Sequence, residues 1–355
     1  MISNIRLQNF RSYTDDSFEF EPGVNIVVGP NASGKTNLLE AVLVLARGSS
    51  YKAKDVELIK FDKPWARLDG YFEKGPRTVK LVFQGPALES GVTTKSFLIG
   101  DKPFKRLSLE KTVPVVFFEP NHLQLITRGP RQRREYIDDL LMRSETGFKS
   151  LSANYLRALA QRNALLKQNP DRAQSQLFAW DIRISELGGK IVQSRVGLIE
   201  KINKKLSKTY SDIANQKSVA TINYETPFPL DNYSSKLLSK LESNAGTDFG
   251  RGFTAYGPHR EDILFHLNKR PIAISASRGE TRSLLLALKI YELDLLEKAR
   301  GQKPIFLLDD VFSELDGARR RALVDYLKGY QSIITTTDAD AAIEYFSDQH
   351  QLIPL

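Results

Sequence analysis

The sequence predicts an α/β protein in which a mixed sheet with flanking helices is interrupted by an inserted α-helical lobe. Short apolar or alternating segments, typical of strands, occur throughout the first 120 residues and return after about residue 249. The segment between them shows helical periodicity, and 355 residues are enough for two cores. We therefore expect a discontinuous lobe from residues 1–120 and 249–355, and a basic helical arm lobe from residues 121–248.

The first part of the chain is predicted to place a buried strand directly before a buried helix. Residues 24–28 are apolar except for Asn25, a pattern typical of a central strand. Residues 35–46 follow as a helix whose leucines and valines face inward. Further strands are expected in the ranges 67–72, 78–83 and 113–118.

The remaining elements are predicted in the same way. Helices broken near Asn169 are followed by one or two long helices over residues 177–206. After about residue 249 the strands return, and residues 272–274 lead into a helix over residues 281–299. A buried strand over 304–308, a helix over 318–330 and a strand over 332–336 complete the predicted fold.

The net charge of +9 is concentrated in the predicted helical segment. Residues 128–208 contain 17 Lys and Arg but only 8 Asp and Glu, which leaves 34 basic and 34 acidic residues elsewhere. Such a segment is either a solvated helical surface or a binding surface for a polyanion such as nucleic acid.

Composition excludes several other classes of function. The chain has no cysteine, which excludes disulfides and thiolate chemistry, and its four histidines have no metal-site spacing. The N-terminus shows no signal segment, and apolar runs such as 41–46 are too short to span a bilayer. We therefore expect a cytoplasmic protein without a membrane partner.

A glycine-rich loop between the predicted strand and helix matches the pattern of a phosphate-binding P-loop. It consists of Gly29, Pro30, Asn31, Ala32, Ser33, Gly34, Lys35 and Thr36. Its backbone amides and the helix N-terminus can bind phosphates, Lys35 can neutralise β- and γ-phosphate oxygens, and Thr36 can coordinate Mg²⁺. The loop predicts binding of ATP or a related nucleotide.

Two further segments carry candidate chemistry. Four apolar residues precede Asp309 and Asp310, a Walker B pattern in which Asp309 would hold Mg²⁺ and Asp310 would orient or deprotonate the attacking water. Ser277-Arg278-Gly279-Glu280 precedes a long helix and provides a second candidate anion site. The same segment could simply be a helix N-cap with a capping box. Two chains arranged head to tail would explain two phosphate sites for one nucleotide.

Together these motifs resemble the ABC-type ATPase heads of the SMC, Rad50 and RecF families, over the whole chain. The resemblance implies that Ser277 and Gly279 act in trans on the nucleotide of a second copy. It implies a D-loop at residues 313–316 after the Walker B strand. It also implies that Arg11, within Asn9-Phe10-Arg11-Ser12-Tyr13, reaches the nucleotide phosphates.

Within this group the chain is most similar to the RecF family. The similarity rests on residues 256–262, on Arg128-Gly129-Pro130 with the arginines that follow, and on residues 308–316. The insertion is too short for the long coiled coil of SMC and Rad50 proteins. Aspartate at position 310 replaces the usual glutamate, as it does in RecF proteins, so slow hydrolysis is expected. The usual switch histidine is also missing, and we expect Thr337 or its neighbour to sense the γ-phosphate; the Q-loop counterpart falls near residues 119–122.

The resemblance implies a recombination mediator with a weak, DNA-dependent ATPase used as a switch. Such a protein would form an ATP-dependent homodimer and clamp double-stranded DNA near single-strand gaps. Expected partners are RecR, possibly RecO and indirectly RecA, in recombinational repair and replication restart. Phosphate contacts are expected from Arg128, Arg131, Arg133 and Arg134. Arg133 and Arg134 could instead pair internally with Glu135, Asp138 or Asp139.

Other classes of protein fit the sequence less well. Another SMC- or Rad50-like DNA-binding head would usually carry a longer insertion. An ABC transporter ATPase subunit would need a membrane partner and usually a switch histidine. An ATP-gated nuclease of the overcoming-lysogenization-defect type would need an added metal-binding domain, for which the chain has no room.

Overall fold

The computed structural model describes residues 1–85, 91–312, 315–338, 343–346 and 350–355, apart from the side chains of residues 171–174. The strands are β1 (Ile2–Phe10), β2 (Tyr13–Glu19), β3 (Val24–Val28), β4 (Trp65–Phe72), β5 (Gly75–Gln84), β6 (Val92–Ile99), β7 (Lys102–Phe104), β8 (Val115–Phe118), β9 (Ala220–Glu225), β10 (Asp262–Leu267), β11 (Arg270–Pro271), β12 (Ile305–Asp309), β13 (Ser332–Thr336) and β14 (His350–Pro354). The helices are α1 (Lys35–Arg47), α2 (Leu123–Thr127), α3 (Pro130–Ser144), α4 (Phe148–Leu165), α5 (Pro170–Ala214), α6 (Tyr233–Ser243), α7 (Ala245–Arg251), α8 (Ile272–Ser275), α9 (Arg278–Arg300) and α10 (Gly317–Leu327).

The chain divides into two compact units. The first contains residues 1–122, 212–215 and 289–355, and the second contains residues 123–211 and 216–288. An α/β fold with a helical insertion is therefore confirmed. The second unit extends beyond residue 248, where the sequence analysis placed the return to the first lobe.

The first unit contains two sheets with α1 buried between them. One sheet is parallel, in the order β14-β3-β13-β12-β8, and the other is antiparallel, in the order β2-β1-β4-β5-β6-β7. Leucines and valines of α1 share one hydrophobic cluster with Leu7 and Leu68 of the antiparallel sheet and with Leu307 and Ile333 of the parallel sheet. Burying the helix on both sides fits its continuous apolar sequence.

The parallel sheet determines where the candidate site lies. All of its strands run in the same direction, so β3, β13, β12 and β8 end at the same edge. Ligands of parallel α/β sheets bind at this carboxyl edge. The P-loop follows β3, Asp309 closes β12 and Glu119 follows β8, which places these segments together.

The second unit is not purely helical, which corrects the expected arm. Strand β9 pairs antiparallel with β10, and β10 pairs with the short strand β11. This pairing joins residues on both sides of position 248, and it explains why the compact unit continues to Leu288. Helix α5 is continuous over 45 residues, and α4 and α5 are separated at Pro170 as expected. Residues 272–274 belong to a short helix, α8, rather than to a returning strand.

A buried ionic cluster holds the helices of the second unit together. Arg162 of α4 is fully buried and donates hydrogen bonds to Asp181 of α5 at 2.5 Å and to Asp248 of α7 at 2.7 Å. Thr254 accepts a further hydrogen bond from the Arg162 guanidinium at 2.9 Å. Removing one member would leave a buried charge without its partner, which is strongly destabilising.

Among the described residues, no helix combines the length and the apolar character needed to cross a membrane.

Candidate nucleotide site

The P-loop follows β3 and turns sharply into α1. Gly34 has φ 110°, and Ala32 also has a positive φ, of 68°. A Cβ atom at Gly34 would lie 2.9 Å from the Tyr13 hydroxyl oxygen and 3.0 Å from the Ser12 hydroxyl oxygen. Glycine is therefore required here both for backbone conformation and for space.

The polar groups of the loop are suited to an anion. The Lys35 side chain is 5% exposed, and its Nζ donates to the carbonyl oxygens of Gly29 at 2.7 Å and Pro30 at 3.0 Å. The Ser33 hydroxyl oxygen is buried and has no hydrogen-bond partner among the described residues. A buried hydroxyl without a partner in a loop that precedes a helix N-terminus fits a phosphate ligand.

Thr36 and Asp309 meet at the start of α1 and the end of β12. The Thr36 hydroxyl donates to Asp309 Oδ2 at 2.8 Å, and Asp309 is 7% exposed. A hydroxyl and a carboxylate converging at the phosphate loop are oxygen donors of the kind that Mg²⁺ takes. The predicted metal residues are therefore brought together, and their chemistry fits that cation.

Asp310 has an unusual backbone conformation that Thr335 supports. Its φ is 50°, in the left-handed region, and its N–H donates to the Thr335 hydroxyl oxygen at 3.0 Å. The same hydroxyl donates to Asp309 Oδ1 at 2.7 Å, and Thr335 is fully buried in β13. One side chain thus fixes both Walker B aspartates. Sequence reasoning missed this role of Thr335, although a threonine directly after Ile333 and Ile334 in a predicted strand was a usable signal.

Glu119 is a second residue at this edge, and it begins the range 119–122 in which the sequence analysis placed the Q-loop counterpart. It follows β8, is 8% exposed, and accepts a hydrogen bond from the Tyr51 hydroxyl at 2.9 Å. Burial raises the pKa of Glu119, and the Asp309 carboxylate raises it further, against the opposing Tyr51 hydrogen bond. Because Phe118 of β8 pairs with Leu308 of β12, Glu119 and Asp309 follow paired residues at this edge of the sheet.

Directly after β13, where the γ-phosphate sensor was predicted, the structure describes residues 337 and 338. Thr337 is exposed, while the neighbouring Thr336 hydroxyl donates to the Asp338 carbonyl oxygen at 3.0 Å. A γ-phosphate role for Thr337 stays a prediction. The expected D-loop begins at Ser313 and Glu314, which lie outside the described residues, and Asp316 caps α10 by accepting the Arg319 N–H at 3.0 Å.

Arg11 is directed elsewhere than the sequence analysis expected. Its Nε donates to Glu40 Oε2 at 2.7 Å, and its Nη1 donates to the Glu57 carbonyl oxygen at 2.8 Å. Glu40 lies on α1 and is 1% exposed, so it holds the guanidinium strongly. In this structure Arg11 braces α1, which corrects its placement at the phosphates.

The neighbours of Arg11 are the residues that contact the P-loop region. The Tyr13 hydroxyl donates to the Gly34 carbonyl oxygen at 3.1 Å. The Asn37 side chain donates to the Ser12 hydroxyl oxygen at 3.0 Å. The turn between β1 and β2 therefore supports the loop from behind through Ser12 and Tyr13.

The candidate signature segment belongs to the second unit and begins α9. Its capping box is formed: Ser277 N–H donates to Glu280 Oε2 at 2.7 Å, and the Ser277 hydroxyl oxygen accepts the Glu280 N–H at 3.2 Å. These bonds lower the pKa of Glu280. Ser277 is exposed and Gly279 half-buried, so the cap does not remove the segment from solvent.

The four arginines expected to contact DNA have different environments. Arg133 is 7% exposed and forms a double hydrogen bond with Asp262, at 2.9 and 2.6 Å. Arg134 donates to the Glu261 carbonyl oxygen, and burial lowers its pKa. Both side chains join α3 to the start of β10, at Glu261 and Asp262, which corrects the expected phosphate contacts. These partners also differ from the nearby carboxylates that the sequence analysis considered.

Arg128 and Arg131 remain at the surface. Arg131 is exposed and pairs with Glu135 one turn later at 2.7 Å, and Arg128 is exposed. An exposed pair of this kind contributes little to stability and can exchange its partner for a phosphate.

The fold and the site together define an ABC-type P-loop ATPase head. Comparison with known proteins agrees with this class: the AAA domain family matches residues 4–244. The Smc head bound to the C-winged helix domain of ScpA shares the fold, with a TM-score of 0.54 at 16% identity over 96% of this chain and 91% of that one.

The full-length relatives are more specific. The DNA replication and repair protein RecF of Heliobacterium modesticaldum is 32% identical over 96% of this chain and 93% of its own length. The protein of the same name from Halothermothrix orenii is 34% identical over 95% and 92%. The recombination mediator protein RecF-ATPrS in the RecFOR pathway has a TM-score of 0.83 at 30% identity over 96% and 93%. The chain belongs to the RecF family.

Proposed function

We propose that this protein is an ATP-controlled recombination mediator that closes as a homodimer on duplex DNA next to single-strand gaps. Slow ATP hydrolysis would release the DNA. The observation that carries the proposal is the convergence of the P-loop, the Thr36–Asp309 pair and the Thr335-anchored Asp310 at one sheet edge. Relatives aligned over nearly the whole chain are DNA replication and repair proteins, which supports the same function.

Each residue of the nucleotide site would have a separate role in binding or hydrolysing ATP. Backbone amides of the loop, together with Lys35, would bind the triphosphate. The solved structures of RecF-ATP and RecF-ATPrS support this ligand. Thr36 and Asp309 would hold Mg²⁺, which neutralises phosphate charge when bound. Asp310 would orient the attacking water and accept its proton. Its side chain is one methylene shorter than glutamate, which fits a slow switch.

Dimerisation would supply the second half of the site. Ser277 and Gly279 at the start of α9 would contact the γ-phosphate of the nucleotide bound by the other copy. The exposed position of Ser277 at the N-terminus of α9 supports this arrangement. ATP would then act mainly by stabilising the closed dimer.

DNA and protein partners complete the proposal. Exposed Arg128 and Arg131 in the second unit would contribute contacts with phosphates. The RecFOR pathway named for the solved relatives supports RecR and RecO as partners, with RecA loading as the result.

The test is ATP-dependent binding of duplex and gapped DNA by wild type and Lys35→Ala. Wild type should bind more tightly with ATP and Mg²⁺ than without. Lys35→Ala should lose this enhancement, because the lysine neutralises the triphosphate. Nucleotide binding itself should be measured in parallel. DNA affinity that is the same with and without ATP would rule out the clamp.

A further inference from the structure

The C-terminal half of α5 carries four lysines on one face. Lys201, Lys204, Lys205 and Lys208 have the spacing i, i+3, i+4 and i+7, so they lie next to one another on the helix surface. All four are exposed. We refer to these residues as the α5 lysine stripe.

Packing on the other faces of α5 fixes the direction of the stripe. Ile202, Leu206 and Tyr210 are buried inside the protein. Asn203 holds the backbone of β9 through two hydrogen bonds with Ile222, each of 2.8 Å. Because the helix is held on these two sectors, it cannot rotate, and the remaining sector presents the lysines to solvent.

The lysines of the stripe differ from the arginines of the same unit. Arg133, Arg162 and Arg195 are buried and paired with aspartates. The side chains of Lys201, Lys204 and Lys208 make no hydrogen bond or ion pair with any residue in the described part of the chain. Lys205 has a polar contact within the protein. Much of the accessible positive charge of this segment therefore lies on α5, whereas Arg133 of α3 is paired inside the protein.

We propose that the α5 lysine stripe binds the phosphate backbone of duplex DNA. The inference rests on the proposed function and assigns a surface to it. From Lys201 to Lys208 the helix rises about 10 Å. Over that length duplex DNA presents about six phosphate charges, so three or four lysines can each face a phosphate. Flexible ammonium groups give affinity without reading sequence, as a protein acting at gaps of any sequence requires.

The composition of the stripe favours nucleic acid over a protein partner. Protein interfaces are depleted in lysine and depend on buried aromatic or arginine anchors. The residues between the lysines on this helix are either buried in the core or bonded to β9. The stripe therefore offers charge without an apolar anchor, which matches a polyanion.

The experiment compares two full-length variants of equal charge change. One is Lys201→Gln/Lys204→Gln/Lys208→Gln. The control is Lys74→Gln/Lys80→Gln/Lys102→Gln, three exposed lysines of the first unit. Binding to a short fluorescent duplex is measured by anisotropy with ATP and Mg²⁺ over a range of salt concentrations. Thermal unfolding of each variant checks that it is folded.

Loss of three phosphate contacts should reduce the slope of log affinity against log salt by about 2 to 3. The control should keep the wild-type slope. The inference is overturned if the stripe variant keeps the wild-type slope, or if both variants lose affinity equally. If the wild type itself binds no duplex DNA with ATP, the proposed function is wrong. The inference about the stripe is then wrong as well, because it rests on that function.

Discussion

Asp310 has a left-handed backbone, and such a conformation costs a non-glycine residue about 1 to 3 kcal/mol. The hydrogen bond from Asp310 N–H to the Thr335 hydroxyl helps to hold it in place. Because Thr335 also bonds Asp309, its hydroxyl couples the position of the carboxylate proposed to hold Mg²⁺ to that of the carboxylate proposed to orient the water. Strain of this kind is typical of residues whose side chain must point in one direction for function.

Thr335→Val should therefore separate nucleotide binding from hydrolysis. Valine has nearly the same volume but removes the hydroxyl, so both aspartates lose their common partner. We expect ATP affinity to change little and the hydrolysis rate to fall roughly 10- to 100-fold, as expected for a misplaced catalytic group. Steady-state phosphate release and fluorescent-nucleotide binding measure the two effects.

Thr335→Ser is the matched control, because it keeps the hydroxyl and should restore most of the rate. Equal hydrolysis by the valine variant and the wild type would show that Thr335 does not position Asp310.

The site residues that could be predicted are those whose chemistry is local in sequence. Lys35, Thr36 and Asp309 follow from short motifs, and the structure brings them together. Arg11 and Arg133 could not be placed, because their carboxylate partners lie 29 and 129 residues away in the sequence. A charged side chain in a motif shows no sign of whether it will meet a ligand or an internal partner.

At the level of elements, the buried segments around the P-loop were predicted most reliably. Helix α1 and strands β3, β12 and β13 are buried on two sides, and their positions match those expected from the sequence. Strand β9 was not predicted, because it is short, contains only two fully buried residues and lies between two helical segments. Its partner β10 is distant in sequence, so only the folded chain shows the sheet.

The segment before β10 is linked to α4 by a half-buried histidine. His259 Nδ1 lies 2.6 Å from the Tyr155 hydroxyl oxygen, and Nε2 lies 3.2 Å from the Thr254 carbonyl oxygen. Burial lowers the pKa of His259 to about 4, opposed by the Thr254 hydrogen bond and assisted by Arg260, Arg134 and Arg195. The neutral imidazole is thus the folded form.

This shift predicts that the protein loses stability between pH 6.5 and 4. The unfolded chain binds the proton with a pKa near 6.5, so stability is complete above that value and falls as the pH approaches the folded pKa of about 4. At pH 5 the histidine should account for about 1 to 2 kcal/mol of the loss.

Urea unfolding at pH 7 and pH 5 measures it, with His259→Gln as the variant that cannot titrate. The carboxylates titrate in both proteins, so their effect cancels in the comparison. An identical pH dependence in the two proteins would contradict the assignment.

At the scale of the whole molecule, the charge pattern seen in the sequence has a structural explanation. The excess of +9 lies in residues 128–208, but several of its arginines are consumed in internal ion pairs. The exposed remainder is mainly lysine. The total charge of the segment thus predicted a surface for a polyanion. The residues that could form such a surface can be named only when the burial and the ion pairs of each side chain are known.

The proposed dimer can be tested by a substitution at Ser277. Ser277→Arg places a long cation where the second copy's nucleotide would bind. We expect the variant to bind ATP but not to dimerise with it, in sedimentation or light scattering. Ser277→Asn is the control, because asparagine is an equally good helix N-cap. ATP-dependent dimers formed by Ser277→Arg would exclude a contribution of this segment in trans.

The strand order of the parallel sheet has a consequence for how the protein is made. Strand β3 leads into the P-loop, but its two neighbours in the sheet are β13 and β14, formed more than 300 residues later in the chain. On the ribosome, at about 5 to 20 residues per second, this apolar strand waits on the order of 15 to 60 seconds for its partners. The second unit can finish folding during that delay. The nucleotide-binding unit therefore completes its parallel sheet last, and its N-terminal part leaves the ribosome well before the strands that will pair with it.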